Sequence, residues 1–301
     1  MEKKKYNRIK LKLDKQKKYI EKELKKVLSK ISAPKTLKEV MLYSVFNGGK
    51  RIRPFIIAEV SSIFSVNRST YKYPALAIEM AHSFSLIYDD LPCMDDDDLR
   101  RGKPSVHVKF NEANALLGGA SLLIYAYNIL TNRKFLIEEK KKLILLENFS
   151  NAIGHNGMLA GQFLDLEAEN PQLKLSLKKI CEIQTKKTGL LIAFCCYAGG
   201  VLGNASKKEL LILQDFGMIL GKIFQITDDI LDHEGSQKKL GKRVNKDKDL
   251  NKATIIREKG INYAKNEIIK YSIIAKNKLS KLKKNTEDLS HLIDYICARS
   301  S

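Results

Sequence analysis

The chain has 301 residues, 44% hydrophobic and 29% charged, with a formal net charge of +20 at pH 7. Length alone would allow two domains. With only six prolines, 17 glycines and no Pro/Gly/Ser-rich linker, however, residues 1–301 are expected to form a single domain with one large core. No apolar run reaches the roughly 18 residues that span a bilayer, so no membrane span is expected.

From the N-terminus, Met1 to Lys30 is lysine-rich but interleaved with Glu2, Asp14, Glu21 and Glu23, and it lacks the apolar stretch of a secretory signal. It is also too acidic for a transit peptide, and the expected location is cytoplasmic. Apolar residues recurring at three- and four-residue spacing predict helices over 8–30, 36–47, 54–66, 73–91, 110–131, 138–159, 173–200, 207–232, 252–281 and 286–298. Turn chemistry falls at 67–73, 101–105, 170–171 and 234–243. The Val/Thr-rich alternation of strands is absent. The expected fold class is therefore all-α: a helical bundle of about ten or more helices around a central cavity.

Two of the predicted helices end in aspartates. One gives Asp89-Asp90-Leu-Pro-Cys-Met-Asp95-Asp96-Asp97-Asp98, the other Asp228-Asp229-Ile-Leu-Asp232. Buried carboxylates repel one another and lose hydration, so apolar helices ending this way need compensation. A hard divalent cation supplies it, and Mg²⁺ shares its coordination between carboxylates, waters and substrate phosphates. Asp228 and Asp232 are four apart and share a helix face. Asp89 and Asp95 are six apart, roughly 240° around a straight helix, and converge only if the helix breaks; Pro92 can supply the break.

Cations accompany the acids. Gly48-Gly49-Lys50-Arg51-Ile52-Arg53-Pro54 is a glycine-started basic turn opening a helix, a setting that favours an anion. Arg100 and Arg101 follow the first cluster, Lys187-Thr188-Gly189 lies in an apolar segment, and Gly241-Lys242-Arg243 follows the second cluster. Together they indicate a metal-bridged diphosphate site. The other lysines are spread along the chain without a nucleic-acid-reading motif, and no nucleic-acid partner is expected. Five cysteines without metal-ligand spacing argue against a disulfide framework and a zinc site.

On these motifs the chain resembles the trans-prenyltransferases (polyprenyl diphosphate synthases), and most nearly the bacterial farnesyl diphosphate synthases. Ser85 to His107 is similar to that family's first aspartate-rich motif in its longer form, and Phe224 to Asp232 to its second. The resemblance implies the isoprenoid synthase-like fold and a homodimer. It implies about three Mg²⁺ ions per site, with Mn²⁺ as the alternative ion: Asp89 and Asp95 as ligands on one wall and Asp228 on the other, supported by Asp90, Asp96, Asp229 and Asp232. Arg100, Lys187 and Lys242 would hold an allylic diphosphate. Gly49, Lys50, Arg53, His82 and Arg101 would form the site for isopentenyl diphosphate, with Thr188 and Gln225 near the reacting carbons.

The implied reaction is a head-to-tail condensation with dimethylallyl and then geranyl diphosphate. Product length should depend on what lies below the first motif. Phe84 sits five residues before Asp89, about 7.5 Å deeper along a helix, where a ring closes the tail pocket; Ser85 is too small to do so. In the similar bacterial enzymes an aromatic at this depth, together with the longer first motif, goes with a C15 product, so the resemblance implies C15, with a C20 product or a non-catalytic subunit as alternatives. The chain departs from the family pattern at Ala120, where a carboxylate is usual, at 251–255 and in the short terminus Arg299-Ser300-Ser301.

Overall fold

The computed structural model describes residues 2–170, 172–173, 175–234 and 254–298. Its backbone is overwhelmingly helical, as the apolar periodicity implies. The first half comprises α1 (Glu2–Ser29), α2 (Lys35–Val45), α3 (Ile52–Ile63) and α4 (Arg68–Asp89). Then come α5 (Val106–Phe110), α6 (Glu112–Thr131), α7 (Glu139–Ile153) and α8 (Met158–Glu167). After α9 (Leu177–Gln184), a single π turn over Thr185–Gly189 leads into α10 (Leu190–Leu202) and α11 (Lys207–Glu234). The chain closes with α12 (Ile255–Lys259), α13 (Ile261–Ser280) and α14 (Glu287–Cys297).

The buried apolar residues form one contiguous cluster running from Ile9 to Ile296. α10 lies at its centre, with nearly every residue from Leu191 to Leu202 buried, as expected of a helix that is apolar all round. It packs against α11, α3, α7 and α4, while α4 also packs on α6 and α3. α4 and α11, the helices that end in aspartates, thereby flank the same core element.

Several expected boundaries change. The predicted helix 110–131 begins at Glu112 instead: Phe110 closes the separate short helix α5, and Asn111, whose φ of 77° breaks the backbone, caps α6 by accepting from Asn114 N. The predicted 138–159 stops at Ile153, and α8 begins beyond Gly154–Gly157 and reaches Glu167, a helix the periodicity had not resolved. The predicted 173–200 is interrupted by the π turn. The predicted 252–281 is broken at Gly260, where φ is 82°. A short antiparallel ribbon, β1 (Leu99–Arg100) with β2 (Lys103–Pro104), appears where no strand was expected. Two helices, α6 and α11, are also long and apolar enough to cross a membrane by length and composition, contrary to the expectation of no such run. Half of the apolar window of α11 is buried inside the bundle, and that helix carries the second acidic motif.

Candidate active site

The first acidic motif begins where α4 ends. Asp89 is the last helical residue, and the chain folds back so that Asp95 N donates to Asp89 O at 2.9 Å and Asp97 N donates to Asp90 O at 3.1 Å. The helix break that the spacing of Asp89 and Asp95 demands is therefore present, with Pro92 exposed at the outside of the turn. Burial pushes the Asp89 carboxyl up from 3.8 to about 6; Asp95 and Asp90 add to the rise, while Lys187 and Arg100 oppose it.

Asp90 and Arg100 take a different part. Asp90 is 2% exposed, and Arg100 forks onto it: Nε donates to Oδ1 at 2.9 Å and to Oδ2 at 3.2 Å, and Nη2 also donates to Oδ1. Arg100 Nη2 reaches Asp97 Oδ2 at 3.2 Å as well. Asp96 lies exposed with φ 49°. Asp97, to which the sequence pattern assigned no role, is the buried member that engages Arg100.

A cationic cluster lies on one side of this turn. Arg51 caps α3 with φ 54° and is clamped by Glu79 Oε1 (2.7 Å), Glu21 Oε1 (3.2 Å) and Val45 O (2.5 Å). Arg101 Nη1 donates to Gly48 O at 2.5 Å and lies over Gly49, where a Cβ would come within 2.6 Å of that nitrogen. Gly49, with φ 112°, is the residue that admits this approach. Burial holds the Arg101 pKa down to about 10, with Arg51, Arg100 and Arg53 contributing and Glu79 opposing. Burial, then Arg53 and Arg101, hold the His82 imidazole well below 6.5, so it is neutral at pH 7. Arg53 has a buried Nε with no hydrogen-bond partner among the described residues. Lys50 is exposed, with its ammonium 5.6 Å from the Tyr295 ring centroid. A buried arginine depressed by its cationic neighbours, beside a second with an unpaired Nε among the described residues, suits a multivalent anion.

The opposite wall is α11. Asp229 and Asp232 are buried and Asp228 is partly buried. Asp228 is close enough to Arg53 to favour its charged form. α11 approaches the π turn closely because Gly221 faces Gly189, where a Cβ would fall 2.5 Å from the glycine Cα. That approach lets Thr188 Oγ1 donate to Gln225 Oε1 at 2.8 Å. Gln225 Nε2 in turn donates to Asp229 Oδ1 at 2.9 Å. Lys187 donates to Asp165 Oδ2 at 2.6 Å. Lys242, residues 251–253 and the terminal Arg299-Ser300-Ser301, singled out in the sequence, lie outside the described residues.

Three further residues join the site: Gln162, Asp165 and Gln184. Gln184 Nε2 donates to Asp229 Oδ2 at 3.0 Å. Both amide atoms of Gln162 are buried without a hydrogen-bond partner among the described residues. Gln162 and Asp165 are three apart and share a face of α8, but that helix was not resolved by the apolar periodicity, so the sequence carried no signal for them.

Among the described residues, no three His, Cys, Asp or Glu groups converge tightly enough to hold an ion by themselves. The donor set nevertheless fits Mg²⁺, which takes one or two carboxylates and completes its shell with waters and phosphate oxygens. Burial raises the pKa of Asp89 despite Lys187 and Arg100, so a divalent cation at this carboxylate would favour its ionised form.

The sequence profile of the polyprenyl synthetases matches residues 34–296. The chain belongs to the polyprenyl synthetase family. It is 40% identical over 284 residues to the farnesyl diphosphate synthase of Bacillus subtilis, covering 94% of this chain and 95% of the relative. It is 36% identical over 289 residues to that of Escherichia coli, covering 93% and 96%. An FPP/GFPP synthase from Zymomonas mobilis superposes with a TM-score of 0.85 at 32% identity, covering 95% of this chain and 99% of that one. A geranyltransferase from Helicobacter pylori, solved with magnesium and isoprenyl diphosphate, superposes with a TM-score of 0.79 at 30% identity, covering 94% and 95%. These likenesses support the isoprenoid synthase helical fold and prenyltransferase chemistry for this polyprenyl synthetase.

Proposed function

We propose that this polyprenyl synthetase is a farnesyl diphosphate synthase. It joins isopentenyl diphosphate head-to-tail to dimethylallyl diphosphate and then to geranyl diphosphate, releasing diphosphate each time. The observation that carries the reading is that the acidic ends of α4 and α11 lie near Lys187 and the Arg53–His82–Arg101 cluster. Farnesyl diphosphate synthases of similar length, at 36–40% identity, support the choice within the family.

Asp89, Asp95 and Asp228 would hold about three Mg²⁺ ions, with Mn²⁺ as a substitute; when bound, the metal neutralises the charge that builds on the leaving diphosphate. Asp90, Asp96, Asp229 and Asp232 would support that set. Lys50, Arg53 and Arg101 bind the isopentenyl diphosphate group, and neutral His82 adds a hydrogen bond without further crowding the cations. Lys187 and Lys242 bind the allylic diphosphate, and Arg100 adds its positive field. Thr188 and Gln225 border the carbons between which the new bond forms. The apolar faces of α4 and α10 keep water from the allylic cation. The proton lost after condensation leaves with the departing diphosphate.

Phe84, 3% exposed and in ring contact with Tyr88 at 4.6 Å, forms the floor of the tail pocket; Ser85 beside it is too small. The chain is a single domain, and it acts as a homodimer. The exposed Leu116, Leu117 and Ile124 along α6 support the latter, as an unpartnered apolar stripe suited to a second copy. Five free thiols suit a reducing cytoplasm.

The test is product analysis. Purified protein is incubated with dimethylallyl diphosphate, excess isopentenyl diphosphate and Mg²⁺, and the dephosphorylated products are separated against C10, C15 and C20 alcohols. A dominant C15 alcohol, lost on chelation, is expected. A dominant C20 alcohol would replace the farnesyl assignment by a geranylgeranyl one, and no product from either C5 or C10 primer would overturn synthase activity.

A further inference from the structure

Asp229 is tied to two amides. Gln184, the last residue of α9, donates Nε2–H to Oδ2 at 3.0 Å, and Gln225, on α11, donates Nε2–H to Oδ1 at 2.9 Å. An ionised carboxylate only accepts, so both amides must present nitrogen to it. Once Gln225 has turned its nitrogen to Asp229, its oxygen points the other way, and the Thr188 hydroxyl can only donate to it, at 2.8 Å. The proton of Thr188 is thereby committed, and Oγ1 is left with lone pairs alone. Gln184, Asp229 and Thr188 are all buried, which makes such a chain more directional than it would be in water.

We infer that Gln184 is a positioning residue for the condensation: it locks the plane of Asp229, and through Gln225 it sets the polarity of the Thr188 hydroxyl. This rests on the proposed function, in which Thr188 borders the allylic cation. An oxygen whose proton is held elsewhere stabilises that cation, whereas a hydroxyl free to rotate would turn positive hydrogen toward it part of the time. Gln184 spends its amide N–H on Asp229, and in this reading its effect should fall on the transition state rather than on binding.

The experiment is a double-mutant cycle on the full chain with Gln184→Met, Thr188→Val and the pair, read as kcat and KM with geranyl and isopentenyl diphosphates. A calorimetric titration with a non-ionisable thio-analogue of geranyl diphosphate accompanies it. Gln184→Met is expected to lower kcat about tenfold or more, with both KM values and the analogue affinity changed less than about threefold. The double variant should be no slower than the slower single, and Gln184→His, which keeps a ring N–H donor, should recover most of the loss. Multiplicative losses in the cycle, or a Gln184→Met variant that loses melting temperature but keeps kcat, would overturn the inference. If Gln184→Met does not fold, the cycle of Gln225→Met with Thr188→Val tests the middle link by the same criterion. The wild-type arm keeps the two readings apart: its turnover tests the synthase assignment, and the coupling tests Gln184.

Discussion

Arg100 is forked on Asp90, with Nε 2.9 Å from Oδ1 and 3.2 Å from Oδ2. The Asp90 side chain is 3% exposed and that of Arg100 is 18% exposed. Burial works against the charge on Arg100, but Asp90, Asp97 and Asp89 outweigh it and raise its pKa. A buried pair of this kind is costly to break from one side, because the remaining charge stays uncompensated. Asp90→Ala should therefore destabilise the fold by about 3–5 kcal/mol, read from denaturant midpoints. Arg100→Lys keeps the charge but not the fork, and should fall between it and wild type. A loss below about 1 kcal/mol for Asp90→Ala would class the pair with exposed ion pairs.

Helical class and both acidic motifs were legible because each rests on a local pattern: three- and four-residue apolar spacing, and carboxylates at the ends of apolar runs. The six-residue spacing of Asp89 and Asp95 even required the chain reversal that Asp95 N and Asp89 O make. What could not be read was non-local. Nothing in the runs around Gln184 or Asp165 says that α9 and α8 bring them to Asp229 and Lys187. The π turn was invisible because α10, which follows it, is apolar all round and offers no stripe whose phase a one-residue insertion would shift. Asp97 could not be ranked above Asp96 within a run of four aspartates; only the left-handed φ of Asp96 turns one outward and the next inward.

Asp89 links function to stability. Its pKa of about 6 in the folded protein exceeds the ordinary 3.8, so between those values the folded state holds a proton that the unfolded chain has released. The contribution of this carboxyl is full below pH 4 and lost as pH rises through 6. Metal-free Asp89→Asn should therefore melt several degrees above metal-free wild type at pH 8 and converge with it near pH 4. Turnover should fall about a hundredfold or more in the same variant. Equal melting temperatures at both pH values would show that Asp89 is not strained in the absence of cation.

His82 has the opposite sign. Burial and the neighbouring arginines depress its pKa, so stability from the neutral imidazole is present above pH 6.5 and lost as pH falls below it. Thermal melts of wild type from pH 7.5 to 5 should decline more steeply than those of His82→Gln. Parallel slopes would sink the claim. Since Gln also donates a hydrogen bond, KM for isopentenyl diphosphate should rise less than tenfold.

Gly49→Ala should strain a backbone at φ 112° and drive a Cβ against Arg101 Nη1. The cost is about 1–3 kcal/mol from the backbone conformation, and the guanidinium must also move from Gly48 O. KM for isopentenyl diphosphate is expected to rise at least tenfold, while KM for the allylic substrate stays within about twofold. A rise in both would mean that Arg101 serves the two diphosphates alike.

Phe84→Ala tests the floor of the tail pocket. The ring is buried and packs against Tyr88 one helical turn nearer Asp89, so its removal opens space directly below the site rather than at the surface. Truncating a buried phenylalanine costs about 3–5 kcal/mol, and the assay should run at a temperature where the variant remains folded. Under those conditions the main product should shift from C15 to C20 or longer, with the C10 intermediate consumed as before. The cavity should accept the added isoprene unit, because an apolar void gains by being filled with an apolar tail. An unchanged C15 product from a folded, active variant would move the floor to another residue and leave the condensation chemistry untouched.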